Sequence, residues 1–148
     1  MTLLCIREDG TVSNIPDGYE ALREAIGDTI SFVFVDDRLG VYVNDNGMLT
    51  NQPLNPAVSM ISGRALYGVC VLCRGNPDDN GDSVPLLAKD RKGMTEVAGR
   101  WRMVVLSAAD AGQDVRVYPN PDTIPPARII PLPDDWNFGD PIPEPEEP

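Results

Sequence analysis

Tyr67-Gly68-Val69-Cys70-Val71-Leu72-Cys73-Arg74 is the stretch that decides the fold. It is apolar almost throughout and lacks the polar alternation of a half-solvated strand. That pattern suits a central strand buried on both faces. Working outward, residues 29–35 (TISFVFV) form the densest β-branched and aromatic run. Asp36 and Asp37 begin a turn, and Gly40 to Val43 is the hairpin partner of that run. At the N-terminus, residues 2–7 (TLLCIR) and 11–15 (TVSNI) flank Asp9-Gly10. An Asp-Gly pair between two such runs signals a hairpin turn.

Helices fall between these strands. Pro16-Asp17-Gly18 closes the first hairpin, and Asp17 is placed to cap a helix over residues 19–26. Tyr19, Leu22 and Ile26 give that helix one buried face, and Gly27 suits a left-handed C-cap. After an Asn44-Asp45-Asn46-Gly47 turn, Leu54-Asn55-Pro56 marks a second helix. Asn55 is its cap and Pro56 its first position; it runs through Ser59, Met60 and Ile61 and stops near Gly63. Residues 75–83 are a polar loop. Over residues 94–111, Val97, Trp101, Val104, Val105 and Ala108 fit helical spacing, although 102–106 alone also fits a strand. The length favours a helix ending at Gly112. Residues 114–118 and 127–132 read as two short final strands.

The expectation is one α/β (α+β) domain over residues 1–133. It has a single mixed β-sheet with helices packed mainly on one face. A length of 148 residues suits one domain with its own core. Beyond Pro133 the chain is rich in Pro, Glu and Asp. Such a segment buries too little apolar surface to repay its ordering entropy, so residues 134–148 are expected to be a disordered acidic tail. No apolar run approaches the ~20 residues that span a bilayer. Residues 1–7 carry no basic region before their apolar stretch, unlike a signal peptide. Both readings point to the cytoplasm and to no membrane partner.

Charge narrows the partners. The formal net charge is −11, which opposes non-specific nucleic-acid binding. Asp134, Asp135, Asp140, Glu144, Glu146 and Glu147 stand in the tail with no base. Without them the remainder carries about −5, ordinary for a soluble domain. The bases cluster too: Lys89, Arg91, Lys92, Arg100 and Arg102 lie close together, with only Asp90 and Glu96 as acids among them.

The candidate chemistry is thin. Cys70 and Cys73 form a C-x-x-C pair, and Cys5 is the only other cysteine. A zinc site needs four ligands, and there is no histidine. A redox pair needs its first cysteine exposed at a helix N-terminus. Here the odd spacing within a strand sends the two thiols to opposite faces, so buried inert thiols are the expectation, with no metal and no cofactor. The missing histidine also excludes Ser-His-Asp and Cys-His catalysis. Asp36-Asp37 and Asp78-Asp79 with Asp82 are candidate carboxylate sites, but solvated turns explain them better. Gly63-Arg64 offers a backbone N–H and a guanidinium to an anion. Arg100-Trp101-Arg102 is the most suggestive constellation, because two guanidiniums beside an indole can grip a phosphate and stack a base. A core tryptophan flanked by solubilising arginines is the plainer reading. Trp136 and Phe138 are unusual in a linker and are candidates to anchor the tail to a partner or to the body.

The order of elements and their punctuation also resemble a known family. The features are the first strand with Asp9-Gly10, the helix ending at Gly27, Gly40-Val41-Tyr42-Val43, the Asn44 to Gly47 turn, Leu54-Asn55-Pro56-Ala57, and the strand 67–74 with Gly63 before it. Together they resemble the small domain-of-unknown-function family numbered 3846, over residues 2–75. That family is carried largely by phages, plasmids and other mobile elements. The resemblance implies a mobile-element origin and, by analogy, a part in countering host defences; it transfers no activity and no site. The leading expectation is therefore a non-enzymatic accessory protein that binds a host protein, a defence-system component included. The alternative is a protein that sequesters a nucleotide through Arg64, Arg100 and Arg102. A third reading, an acidic DNA mimic, rests on charge alone. An enzyme is the least supported class.

Overall fold

The computed structural model describes residues 2–16, 18–27, 29–44, 52–76, 84–116 and 130–131. In chain order the elements are β1 (Thr2–Ile6), β2 (Val12–Pro16), α1 (Tyr19–Ile26), β3 (Ile30–Asp36), β4 (Leu39–Asn44), α2 (Pro56–Ser62), β5 (Cys70–Cys73), α3 (Ala88–Asp110) and β6 (Ile130–Pro131). They build one sheet in the order β2-β1-β5-β4-β3-β6. The apolar run around Cys70 is central, with β1 on one side and β4 on the other, and all four residues of β5 are buried. The α+β class and the single sheet are as expected.

The sheet is antiparallel at every described pairing, where a mixed one was expected. The reason lies between β4 and β5. A parallel crossover must carry the chain back along the sheet. Residues 54–67 instead close on themselves: Leu54 bridges Tyr67, and the Asn55 N–H donates to the Leu66 carbonyl at 2.8 Å. The α2 excursion therefore returns to its starting point.

Strand alternation sorts the core into two layers. Leu3, Cys5, Val71, Cys73, Phe32 and Tyr42 pack with Leu22 and Ile26 of α1. Leu4, Ile6, Cys70, Leu72, Val33 and Val41 pack with Ala57 and Val58 of α2 and Ala98 of α3. Two helices share one face and α1 takes the other. Cys70 and Cys73 fall in opposite layers, as their spacing predicts.

Several local expectations need correction. Gly18 holds the N-cap position of α1 without a side-chain bond, and the expected cap, Asp17, lies outside the described residues. Gly27 ends α1 with a positive φ but an extended ψ, not a left-handed helical one. The α3 helix begins at Ala88 rather than 94. Its charged first turn lacks an apolar period, yet Asp90 there suits the helix N-terminus. Of the strand expected over 114–118, residues 114–116 form none, because the Asp114 carboxylate takes the Arg116 N–H and guanidinium locally, and residues 117–118 lie outside the described residues. That pairing holds Asp114 at about 2. Of the strand expected over 127–132, Ile130 and Pro131 pair with β3. The 44–47 turn beyond Asn44, most of the 75–83 loop with Asp78, Asp79 and Asp82, and the tail lie outside the described residues.

Candidate functional site

The site grows from two anchored helices. Asn55 is fully buried and uses both ends of its amide. Its Oδ1 accepts from the Val58 N–H, as a cap should. Its Nδ2 donates to the carbonyls of Ile6 and Gly68, both at 2.9 Å, which ties the start of α2 to the sheet over β1 and β5. Gly63 closes α2 in the left-handed region at φ 72°.

α3 is fastened at both ends of the sheet. Near its start, Asp90 pairs with Arg38 in the β3–β4 turn. The Arg38 hydrogen bond, with its charge, holds the Asp90 carboxyl below the usual carboxylate range. Near its middle the helix lies on the β1–β2 turn. The Trp101 Nε1–H donates to the Glu8 carbonyl at 2.8 Å, and Arg102 Nη1 meets Asp9 Oδ2 at 3.1 Å. Burial pushes Asp9 up, but hydrogen bonds from Thr11 and the Arg102 charge outweigh it, so the carboxyl ends below its ordinary value. Gly10 makes this approach possible. A Cβ there would sit 2.6 Å from the Arg102 backbone N and 2.7 Å from the Ala98 carbonyl, and its φ is 86°.

Between the helices lies a groove of about 270 Å³. Pro56, Ala57 and Met60 form one wall; Val97, Arg100, Trp101 and Val104 form the other. Arg100 is exposed and has no ionic or hydrogen-bonded partner among the described residues. Past Arg102, α3 continues with Met103, Val104, Val105 and Leu106. Met103 is 64%, Val104 48% and Leu106 43% exposed, and Met60 across the groove is 75% exposed. Val104, expected on the buried stripe, is therefore a groove and surface residue. Met103, Val104, Ala108 and Ala111 line a second, shallower depression with Gln113 and Val115.

The candidate residues separate. Arg100 and Trp101 share the groove. Arg102 turns to Asp9. Arg64 follows the far end of α2 and donates to the Phe34 carbonyl, so it does not join them. Trp136 and Phe138 lie outside the described residues. Met60, Val104, Met103 and Leu106 were not among the candidate site residues read from the sequence. For the three on α3 the signal was the unbroken apolar run 103–106, which leaves a helix no polar side to turn outward; Met60 on α2 carried no such signal.

The three thiols are buried and free. Burial pushes Cys5 and Cys70 up and holds Cys73 at about 12, so none has thiolate character at neutral pH. Asp36 spends Oδ1 on the N–H groups of Arg38 and Leu39, a turn role, and Asp37 accepts from Asn76. Among the described residues no group of three His, Cys, Asp or Glu side chains is placed to hold a metal ion. Nor is any described helix long and apolar enough to cross a membrane.

A family model described as Domain of unknown function (DUF3846) matches residues 1–99. The chain belongs to the DUF3846 family. The match covers β1 to β5, α1, α2 and the first half of α3, so it passes residue 75, where the resemblance read from turn residues stopped. It ends one residue before Arg100. The DUF3846 description carries no activity. No curated protein and no solved structure matches the chain.

Proposed function

We propose that this DUF3846 protein is a non-enzymatic accessory protein of a phage or other mobile element. It binds a host protein, and its mobile-element resemblance favours a defence-system component as the partner class. One observation carries the reading: an apolar groove with an unpaired arginine at its rim runs into a helix half that is apolar and exposed. Exposed contiguous apolar surface marks interaction sites, and Met, Trp and Arg are the side chains that interfaces favour.

The test is affinity capture from host lysate with the full chain and with the Met60→Asp/Val104→Asp variant. Both positions are exposed, so the variant is expected to keep its stability within about 0.5 kcal/mol per site. The wild-type chain should recover a host polypeptide that the variant loses. Retention of the same polypeptide by the variant, or no recovery at micromolar bait, counts against the reading.

Arg100 beside Trp101 favours a second reading, a nucleotide whose base stacks on the indole while a phosphate meets the guanidinium. Thermal shift against a nucleotide panel tests it. A ligand at ~100 times its Kd adds about 2.7 kcal/mol, and no shift with any nucleotide removes the idea.

A further inference from the structure

The last described element runs toward the end of the sheet that carries the groove. β6 runs antiparallel to β3, with Ile130 opposite Phe32 and Pro131 opposite Ser31. The chain therefore leaves β6 toward the Ile30 end of the sheet. Ile30 pairs with Asn44, and the same end holds the start of β5 and the end of β1. It is also the end where Asn55 fixes the first turn of α2, and so where the groove lies.

Distance permits the contact. From β6 to β5 is three strand spacings and to β1 four, or ~14–19 Å, with a helix layer ~10 Å above the sheet. The span to the groove is thus ~17–22 Å by that geometry. Trp136, five residues beyond Pro131, reaches up to ~17 Å, the near edge of the groove, while Phe138 reaches up to ~24 Å and covers the whole span. Charge selects the face. Asp134, Asp135 and Asp140 bracket these aromatics. The α2–α3 groove offers Arg100, without a partner among the described residues, whereas α1 on the opposite face presents two acids, Glu20 and Glu24, against one base, Arg23.

We infer that the α2–α3 groove receives the chain's own acidic aromatic segment, residues 134–140. An aromatic ring enters between Met60 and Trp101, and a flanking aspartate meets Arg100. The groove then has an internal occupant that any partner must displace. This contact shares the groove with the binding reading but does not depend on a host partner.

Cysteine crosslinking of the full chain tests it. The native thiols are buried, so introduced ones react alone. Met60→Cys with Phe138→Cys is compared with Glu24→Cys with Phe138→Cys under mild oxidation at low protein concentration. All engineered chains keep Trp136. The 60–138 disulfide should form within one chain about tenfold faster than the 24–138 disulfide. Arg100→Glu or high salt should slow the 60–138 reaction. Equal rates for the two pairs, or crosslinks only between chains, overturn the proposal. Either result leaves the capture experiment with host lysate to be judged separately.

Discussion

The two halves of α3 live in different surroundings. Residues 88–102 are bound to the sheet through Asp90, Ala98, Trp101 and Arg102. Residues 103–110 run on past these contacts, and only Ala108 among them is buried. The composition runs against this division. The fastened half carries most of the helix's charge, while the projecting half carries the unbroken apolar run. A helix that is apolar on the side facing solvent is not explained by its own fold. The family match divides the helix at nearly the same place, ending at residue 99. The match takes in most of the fastened half and stops before the exposed apolar run.

The largest expected effect comes from breaking the seat of the first half. Gly10→Ala places a methyl against the α3 backbone and forces a strained φ, at a cost of about 3–4 kcal/mol. Urea unfolding checks this; a loss under about 1 kcal/mol would mean that α3 does not rest on the β1–β2 turn as described. Trp101→Ala removes a half-buried indole and its bond to Glu8. It should cost about 2–3 kcal/mol by the same measurement. Substitutions in the projecting half should do little: Met103→Ser with Leu106→Ser is expected to stay within about 0.5 kcal/mol per site. A larger loss would show that this half is packed within the chain.

The smallest effect is a pH dependence. The Asp9 and Asp90 carboxyls sit below their ordinary values in the folded chain. Each therefore contributes stability that is present above the unfolded carboxyl value, about 3.9. That contribution is lost as pH falls through the depressed folded value. Asp90→Asn should flatten the acid limb of a stability profile, and amides near 88–92 should exchange faster at neutral pH. An unchanged acid limb would show that the Arg38 pair does not help to fasten α3.

Much of this was legible because it is local. Asn55-Pro56 announced α2, Asp9-Gly10 the first hairpin, and the odd spacing of Cys70 and Cys73 their opposite faces. The start of α3 was missed because Leu87 offers no side-chain cap, and the charged turn after it shows no period. The groove was missed for a different reason. The contacts that set its walls join Asn55 to Ile6 and Trp101 to Glu8, pairs 49 and 93 positions apart. No local pattern encodes such a meeting. Arg100-Trp101-Arg102 was recognised as a unit, but the structure divides it: Trp101 and Arg102 fasten the helix, and Arg100 faces the groove.

Site-specific photo-crosslinking in host cells tests the central claim most directly. A photoreactive side chain is placed at Met60 in the groove, at Met103 on the projecting half, and at Glu24 on the opposite face. The binding reading predicts one host polypeptide joined at positions 60 and 103 and none at 24. Adducts confined to position 24, or none at any position, would contradict it.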